Sequence, residues 1–488
     1  MRPPAHDFTM SARFSRDHLR KLIYVVALAN LGLLLLALYL IGHLDNSWLL
    51  LAGMPLLGLV PMAIRRSEPR DIFEPIFLFV AVYLAAFWVR AIMAQVDFRE
   101  FTLPWAVSYG ATQADVLPVL GLAMLGLSAV YLGYYSGLGC LKARIVPTIR
   151  REFVPTRARA LFILSTVIYV AIWIHFFVNG HYSVVFMMEN RAEIVRGAGE
   201  LEVLMKANAF VSSATGFVIL LRKMRKWRQL AFLVPIIIAM PLTTFGDFET
   251  VILTVAPPLV MWHYCVRRFR KRELALLALV GISSLVVFVA VRTSGGMRTL
   301  TIGIGPLLKF AAMAQFSYWD NLLVLIHHFP YRHDFYHGRI MLTDFFLLIP
   351  RRIWESKPQV YGSTLLQTEM FPYMIDPYTG FGHYESFSFI GWGYADFGLG
   401  GAMFAAFCHG VVWRMLYEQL GRRAREGSLP NAALYGYALV VLPKVMRGFV
   451  GSFLWMFAVL LPAALLLRFA SGSNRSKGAQ LPKVQRSV

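Results

Sequence analysis

Residues 292–401 form the one long stretch of this sequence that mixes arginines with histidines, carboxylates, tyrosines, tryptophans and glycines. A guanidinium group can hold a phosphate through two parallel hydrogen bonds without a metal ion. The cationic residues that could do so are Arg191, Arg196, Arg292, Arg298, Arg351, Arg352, Lys357, Lys444 and Arg447. Two interpretations stay open: binding of a phosphate ligand, or contact with lipid headgroups and with acids of the same segments.

A proton acceptor could come from the tripeptide His383-Tyr384-Glu385, or from Asp396 eleven residues later. A carboxylate or an imidazole at a membrane boundary can take the proton of an attacking hydroxyl. Glu385 could equally be an ordinary acid in the first turn of a helix, where the helix dipole favours it. Both roles stay open.

Metal ligation is weakly indicated. The acidic pairs Asp247/Glu249 and Glu200/Glu202 have the spacing of many pairs that bind no metal. Four histidines are close in sequence, but a proline and a glycine interrupt the helix that would align them: His327, His328, His333 and His337. We therefore predict no metal and no other cofactor.

Aromatic side chains accompany the arginines. Flat rings stack on the C–H faces of sugars, and they also populate the belts at membrane interfaces. Their occurrence with outer arginines favours a glycan site, for which the candidates are Trp354, Tyr384, Trp392 and Tyr394. The glycines of residues 391–401 predict close helix packing instead of chemistry.

The elements that position these residues are membrane helices. The 488 residues are 57% hydrophobic and only 15% charged, and the mean hydropathy is +0.57. Twelve apolar runs have about the length that crosses a bilayer core; they are 22–42, 48–64, 73–96, 116–139, 160–178, 208–221, 229–245, 250–266, 274–291, 387–412, 431–447 and 452–469. The sequence thus predicts an all-α, polytopic membrane protein. Arg90, near one end of the third run, is either functional or reaches out to the lipid headgroups.

The net charge of +21 is a topology signal. When the connections are numbered alternately from an inner N-terminus, the inner ones contain most of the Lys and Arg residues, as cytoplasmic loops do. This distribution argues against a nucleic-acid partner and makes both termini cytoplasmic. The predicted parts are a bundle over 1–292 with an outer loop at 179–207, a large outer loop at 293–386, further spans at 387–470, and a disordered tail at 471–488. Within the large loop we expect a re-entrant or interfacial helix at 303–328 and a shorter one at 340–349.

Two motifs carry a resemblance to a family. LLIPRRIWESKP at 347–358, followed by GWGYADFGLGG at 391–401 and then a basic inner loop, resembles the bacterial oligosaccharide repeat-unit polymerases of the Wzy type. The resemblance implies that undecaprenyl-diphosphate-linked repeat units are joined at the periplasmic face of the inner membrane, without a metal. It also implies pathway partners, namely a flippase and a chain-length regulator.

Residue by residue, the resemblance places Arg351, Arg352 and Lys357 on the basic part of the family's motif, and Tyr394 on its aromatic part. Many relatives have an acid two positions before that tyrosine, whereas this chain has Trp392. The departure favours Glu385 as the base, with His383 as the second candidate.

Three other functions remain as alternatives. A ligase, which moves a finished glycan to a different acceptor, would share nearly all of these features. A lipid-linked oligosaccharide flippase or another transporter would place more charge inside the spans. A glycan-export or assembly subunit without enzymatic activity is the third alternative.

Overall fold

The computed structural model describes residues 47–64, 71–140, 149, 153–179, 200–223, 248–270, 272–277, 279–281, 283, 309, 313, 316–349, 353–358, 360–371 and 386–472. Within these residues all regular elements are helices, and the only strand-like pairing is an isolated bridge between Phe153 and Ser471. The all-α prediction is confirmed for the described chain.

Twelve helices organise the described residues: α1 Ser47–Gly58, α2 Pro75–Val96, α3 Val116–Tyr135, α4 Pro155–Asn179, α5 Glu200–Lys223, α6 Phe248–Cys265, α7 Tyr318–His328, α8 Arg339–Thr343, α9 Ser363–Met370, α10 Ser388–Leu416, α11 Leu429–Val445 and α12 Val450–Ala470. A π-helical turn, Leu84–Val89, lies inside α2, and a second one, Tyr417–Gly421, follows α10. Shorter helical pieces are Val60–Ile64, Phe98–Phe101, Pro104–Ser108, Gln113–Asp115, Leu138–Cys140, Asp344–Leu348 and Arg422–Arg425. Prolines in the first turn of α2 and of α11 suit helix starts, where an N–H group has no intrahelical partner.

Six helices are long and apolar enough to cross a membrane: Pro75–Val96, Gln113–Cys140, Pro155–Ile172, Val203–Leu221, Ser388–Arg425 and Val450–Ala470. They correspond to six of the twelve predicted runs, so a membrane protein with several spans is confirmed. Three more runs coincide with the apolar helix Leu51–Ile64 and with α6 and α11. The runs 22–42 and 229–245, and most of 274–291, lie outside the described residues.

Connections that the charge pattern assigns to the inside meet at one end of the bundle. The Tyr264 hydroxyl donates to Asp71 at 2.7 Å, which joins the end of α6 to the connection before α2. The backbone of Ile149 pairs with the Asn431 side chain at the start of α11. We call this the inner end.

Connections assigned to the outside meet at the opposite end, which we call the outer end. Leu103 donates its backbone N–H to Asp320 at 3.0 Å, and Gly451 donates to Asp344 at 2.9 Å. The alternation of connections predicted from the charge pattern therefore agrees with these contacts.

The segment that contains α7 enters the bundle and returns. Before α7, Lys309 forms a 2.7 Å ion pair with Glu100 at the outer end. Tyr318, at the start of α7, packs deep against Phe87 of α2. At the end of α7 the chain is back at the outer end, where His327 contacts the preceding outer loop. Of the two forms predicted for 303–328, the described contacts match the re-entrant one.

The predicted run 387–412 is not one straight helix. At Gly398, φ is 62° and ψ is −146°, so α10 divides into arms 388–396 and 399–416. A Cβ added to Gly401 would lie 2.0 Å from the carbonyl oxygen of Gly393. Residues eight apart in a continuous helix are separated by about 12 Å along its axis. The first arm therefore folds back on the second, and only glycine permits both the close approach and the positive φ.

The core is built where α3 packs against both arms of α10. Gly126 of α3 receives the side chain of Ile390 from the first arm. A Cβ on Gly410 would lie 2.1 Å from the carbonyl oxygen of Val130, so α3 and the second arm approach backbone to backbone. These contacts bring the first arm into the middle of the bundle. Of the glycines for which the sequence predicts close packing, Gly393 and Gly401 confirm it, whereas Gly400 meets nothing within 4 Å.

Candidate functional site at the outer end of the bundle

A completely buried ion pair anchors the outer end. Arg90 of α2 and Asp320 of α7 are 2.6 Å apart, with neither side chain exposed. Asp320 also accepts the Leu103 N–H, so its charge is paired and hydrogen-bonded. Arg90 therefore does not reach out to the lipid headgroups, and that alternative is wrong. The pair holds the re-entrant α7 against α2.

A chain of hydrogen bonds leads from this pair to the end of α11. The Trp105 indole donates to the Asn321 side-chain oxygen at 3.1 Å, and the Asn321 amide donates to the Ser386 carbonyl oxygen at 2.8 Å. The Ser386 hydroxyl and, at 3.3 Å, the Trp392 indole both donate to the carbonyl oxygen of Arg447. The outer loop, α7, the first arm of α10 and the end of α11 are thus fixed to one another.

The last carbonyls of α11 have no partners within their own helix and find them in α10. Phe389 donates its backbone N–H to the Met446 carbonyl oxygen at 3.1 Å. His409 Nε2 lies 3.3 Å from the Val445 carbonyl oxygen, and its ring stacks on Phe389. Because its backbone is held in this way, Arg447 has a fixed position at the outer end, with an exposed side chain.

Two lysines share one tryptophan near the end of α11. The Lys444 ammonium lies 3.5 Å from the centre of the Trp455 ring, and the Lys206 ammonium lies 4.5 Å from the same centre. Lys206 is only 1% exposed. The attraction between a cation and an aromatic face holds each lysine in place. We call the two lysines on Trp455, together with Arg447 three residues after Lys444, the outer cationic cluster.

This cluster suits an anionic ligand. A negatively charged group near these residues gains Coulomb attraction from each of them, and more strongly where water is scarce. The first arm of α10 adds to this field. Its N-terminus begins among buried residues near Arg447, and the N-terminal end of a helix carries partial positive charge. The arrangement could hold a phosphate or a diphosphate group.

Three of the four predicted glycan-binding aromatics belong to the described residues, and each has a different environment. Trp392 is 3% exposed, and its indole N–H donates to the Arg447 carbonyl oxygen. Tyr394 is half-buried, and its hydroxyl lies 3.4 Å from the Phe329 carbonyl oxygen. Trp354 lies in the loop after Asp344–Leu348, where its ring meets Phe346 edge to face. Binding of sugars by these rings stays a prediction.

Lys357 stabilises the fold of its own loop. Its ammonium donates to the Ile349 carbonyl oxygen at 3.1 Å and lies 4.6 Å from the centre of the Tyr361 ring. Only 7% of the residue is exposed. These contacts hold Lys357 within its own loop, and its diphosphate role stays a prediction.

Asp396, a residue of α10, caps the N-terminus of α8. Its two oxygens accept the backbone N–H groups of Ile340 and Met341, at 3.0 and 2.9 Å, in the first turn of α8. An acid at this position satisfies orphan donors and complements the helix dipole. The contacts indicate a structural role for this carboxylate.

Three histidines of the large loop lie side by side: the ring centres of His327 and His328 are 5.4 Å apart, and those of His328 and His333 are 5.9 Å apart. His327 Nδ1 lies 3.4 Å from Asp115, whereas His328 Nδ1 lies 2.9 Å from the Val324 carbonyl oxygen. Within the described part of the chain, no three His, Cys, Asp or Glu side chains form a group that could hold a metal ion. Nearby, Tyr336 donates to Glu369; burial and then this hydrogen bond raise the pKa of Tyr336, so the phenol keeps its proton.

Several predicted site residues lie outside the described residues. They are His383, Tyr384, Glu385, Arg191, Arg196, Arg292, Arg298, Arg351 and Arg352, together with the acid Asp247. Their roles as base, glycan ligand, diphosphate ligands and metal ligand stay predictions.

Sequence reasoning missed Lys206 and the partner of Arg90. Lys206 lies at the edge of the predicted outer loop 179–207, where a lysine is unremarkable by composition. Its signal would have been a cation two residues before the apolar run 208–221. Asp320 gave a similar signal, an acid within an apolar segment, but nothing local pairs it with a residue 230 positions away.

Comparisons with known proteins add no relative from which the role of the site could be inferred. The chain matches no protein-family model, no curated protein and no solved structure.

Proposed function

We propose that this protein is a glycosyltransferase of the bacterial inner membrane that polymerises undecaprenyl-diphosphate-linked oligosaccharide repeat units. In this proposal about twelve helices span the membrane, both termini are cytoplasmic, and the outer end faces the periplasm. The large loop 293–386 then covers the reaction, and a flippase and a chain-length regulator act in the same pathway.

The observation that carries the proposal is the outer cationic cluster around Trp455. A lipid diphosphate must be held where its polyprenyl chain stays in the membrane and its sugars reach water. In this proposal Lys206, Lys444 and Arg447 lie at such a boundary, at the outer ends of α5 and α11. Lysine and arginine bind phosphate oxygens through charge-assisted hydrogen bonds without a metal.

The reaction needs a cation at the leaving group. The bond between the anomeric carbon of the growing chain and its diphosphate oxygen breaks, while a bond forms to a hydroxyl oxygen of the next unit. The hydroxyl proton passes to a base, for which Glu385 and His383 are the candidates. The electron pair leaves with undecaprenyl diphosphate, whose developing charge fixed cations stabilise.

A polymerase must also hold two lipid diphosphates at once, a donor and an acceptor. The outer cationic cluster can serve one of them. The arginines of the large loop, Arg351 and Arg352 among them, are the candidates for the other. Holding both substrates in line supplies much of the rate in a reaction between two bound molecules.

The test is complementation of a strain in which the gene is deleted, followed by gel analysis of its glycans. The wild-type chain should restore a ladder, whereas the deletion strain should make a single repeat unit. Arg447→Ala should lower polymer formation by about ten- to a hundredfold, because one fixed donor to the leaving group is lost. Lys309→Ala is the matched control, since it removes an outer lysine that pairs with Glu100.

Three outcomes would contradict the proposal. Full-length chains left on the lipid carrier in the deletion strain would indicate a ligase. Repeat units trapped on the cytoplasmic face would indicate a flippase. An equal loss in Arg447→Ala and Lys309→Ala would show that the outer cationic cluster has no special part in the reaction.

A further inference from the structure

A cavity of about 110 Å³ opens at the inner end, far from the outer cationic cluster. It lies between the connection that starts at Asp71, the end of α6 and Arg425. A water molecule needs roughly 10–15 Å³ by this measure, so the cavity has room for a group as large as phosphate.

The one carboxylate of the cavity is already satisfied. Asp71 accepts the Tyr264 hydroxyl at 2.7 Å and the Tyr417 hydroxyl at 3.2 Å. Arg425 Nε lies 3.8 Å from the same carboxylate and offsets its charge. Asp71 therefore positions Tyr264 and Arg425 and has little attraction left for a cation.

The remaining polar lining consists of donors. Arg268 and Arg425 contribute guanidinium groups from two different segments. His263 Nδ1 accepts the Phe269 N–H at 3.1 Å, so the neutral imidazole carries its proton on Nε2 and can donate there. With Asp71 offset by Arg425, the charge of Arg268 leaves the lining net positive. Donors in excess of acceptors, with positive charge, are complementary to an anion.

Exposed apolar residues, one of them in the cavity lining, point to a lipid as the source of that anion. Ile72, which lines it, is 38% exposed. In the helical segment after the 267–273 connection, Leu276 and Leu279 are 61% and 63% exposed. Acyl chains would cover such side chains, whereas a free phosphate would not. The inner leaflet is also where anionic lipids and basic segments attract one another.

We propose that this inner cavity binds the phosphate group of an anionic phospholipid from the inner leaflet. Arg268 and Arg425 hold the phosphate oxygens, and Ile72 and Phe269 contact the glycerol and acyl part. This site is distinct from the outer cationic cluster and does not depend on the proposed function.

The test is native mass spectrometry of the full-length protein in detergent, titrated with phosphatidylglycerol. Arg268→Gln should weaken binding about tenfold, the effect expected for hydrogen bonds to a charged group. Arg272→Gln is the matched control, because it removes an exposed arginine of the same connection that does not line the cavity. It should change the affinity by less than about twofold. Arg268 lies at the surface, so neither variant removes a buried side chain.

Two further ligands identify the source of the anion. Diacylglycerol, which lacks the phosphate, should bind weakly to the wild-type protein and equally to Arg268→Gln. Inorganic phosphate should not displace phosphatidylglycerol; displacement at similar concentrations would show a site for free phosphate and overturn the lipid assignment. Tight diacylglycerol binding, or equal losses in Arg268→Gln and Arg272→Gln, would overturn the phosphate site itself.

Discussion

The Asp320 carboxylate lies 2.6 Å from the Arg90 guanidinium across 230 positions of sequence, and both side chains are completely buried. Removing two charges from water costs free energy that only good geometry and further hydrogen bonds offset. Here the Leu103 N–H supplies one such bond to the carboxylate. The pair therefore fixes how deeply the re-entrant α7 enters the bundle.

Breaking this pair should destabilise the protein strongly. Arg90→Leu or Asp320→Leu each leaves one buried charge without its partner, and each should lower the free energy of unfolding by about 3–5 kcal/mol. The double variant should lose less than either single variant, since no charge is then stranded. Lys309→Ala, in the more exposed pair with Glu100, should cost less than about 1 kcal/mol. Thermal unfolding in detergent measures all four; a double variant as unstable as the sum of the singles would refute the explanation.

A side chain added where the two arms of α10 contact each other should destabilise the protein. In Gly393→Ala the new Cβ would lie 2.3 Å from the carbonyl oxygen of Gly401, so the arms must separate. We expect a loss of at least about 1–3 kcal/mol, the cost of overpacking, and a lower folded yield. Gly400→Ala meets nothing within 4 Å and should be neutral or slightly stabilising. Yield and melting temperature compare the two, and similar values would mean that the arms are not in contact.

Asp396 should prove to be a cap and not a base. Asp396→Asn keeps an oxygen that can accept from Ile340 or Met341 but loses the charge and one acceptor. It should cost about 0.5–2 kcal/mol and make residues 339–358 more sensitive to limited proteolysis. Polymer formation should fall only in proportion to the loss of folded protein. A folded variant with normal protease resistance and no polymer would instead assign Asp396 to the chemistry.

Trp455 should affect polymer yield through the two lysines that contact its ring. Trp455→Leu removes the aromatic face from Lys206 and Lys444, an attraction of about 0.5–2 kcal/mol for each. We expect a lower polymer yield, approaching that of a Lys206→Met/Lys444→Met double variant. Adding Trp455→Leu to that double variant should then have little further effect on polymer yield. Additive losses in the triple variant would show that the ring acts independently of the lysines. Glycan ladders in the complemented deletion strain provide the measurement.

Hydropathy and charge are local properties, and they determined much of this protein. Apolar runs predicted the membrane helices, six of which the described structure confirms. The excess of Lys and Arg on alternate connections agrees with the contacts that gather Asp71 and Tyr264 at one end and Leu103 and Asp320 at the other. Polar residues within 303–328 predicted a re-entrant or interfacial helix instead of a span, because a lipid-facing span would exclude them; the choice between the two came from the contacts of α7.

Only the tertiary structure decided which residues meet. Lys206 and Lys444 come together on Trp455 from three separate helices, and no spacing in the sequence encodes that contact. Hydropathy does not predict the reversal at Gly398, because both arms of the hairpin are apolar and form one continuous apolar run in the sequence. Membrane solvation selects which segments are buried, whereas backbone approach at glycines and the pairing of buried charges select their partners. Those choices depend on residues far apart in the chain, so they are made only when the helices pack.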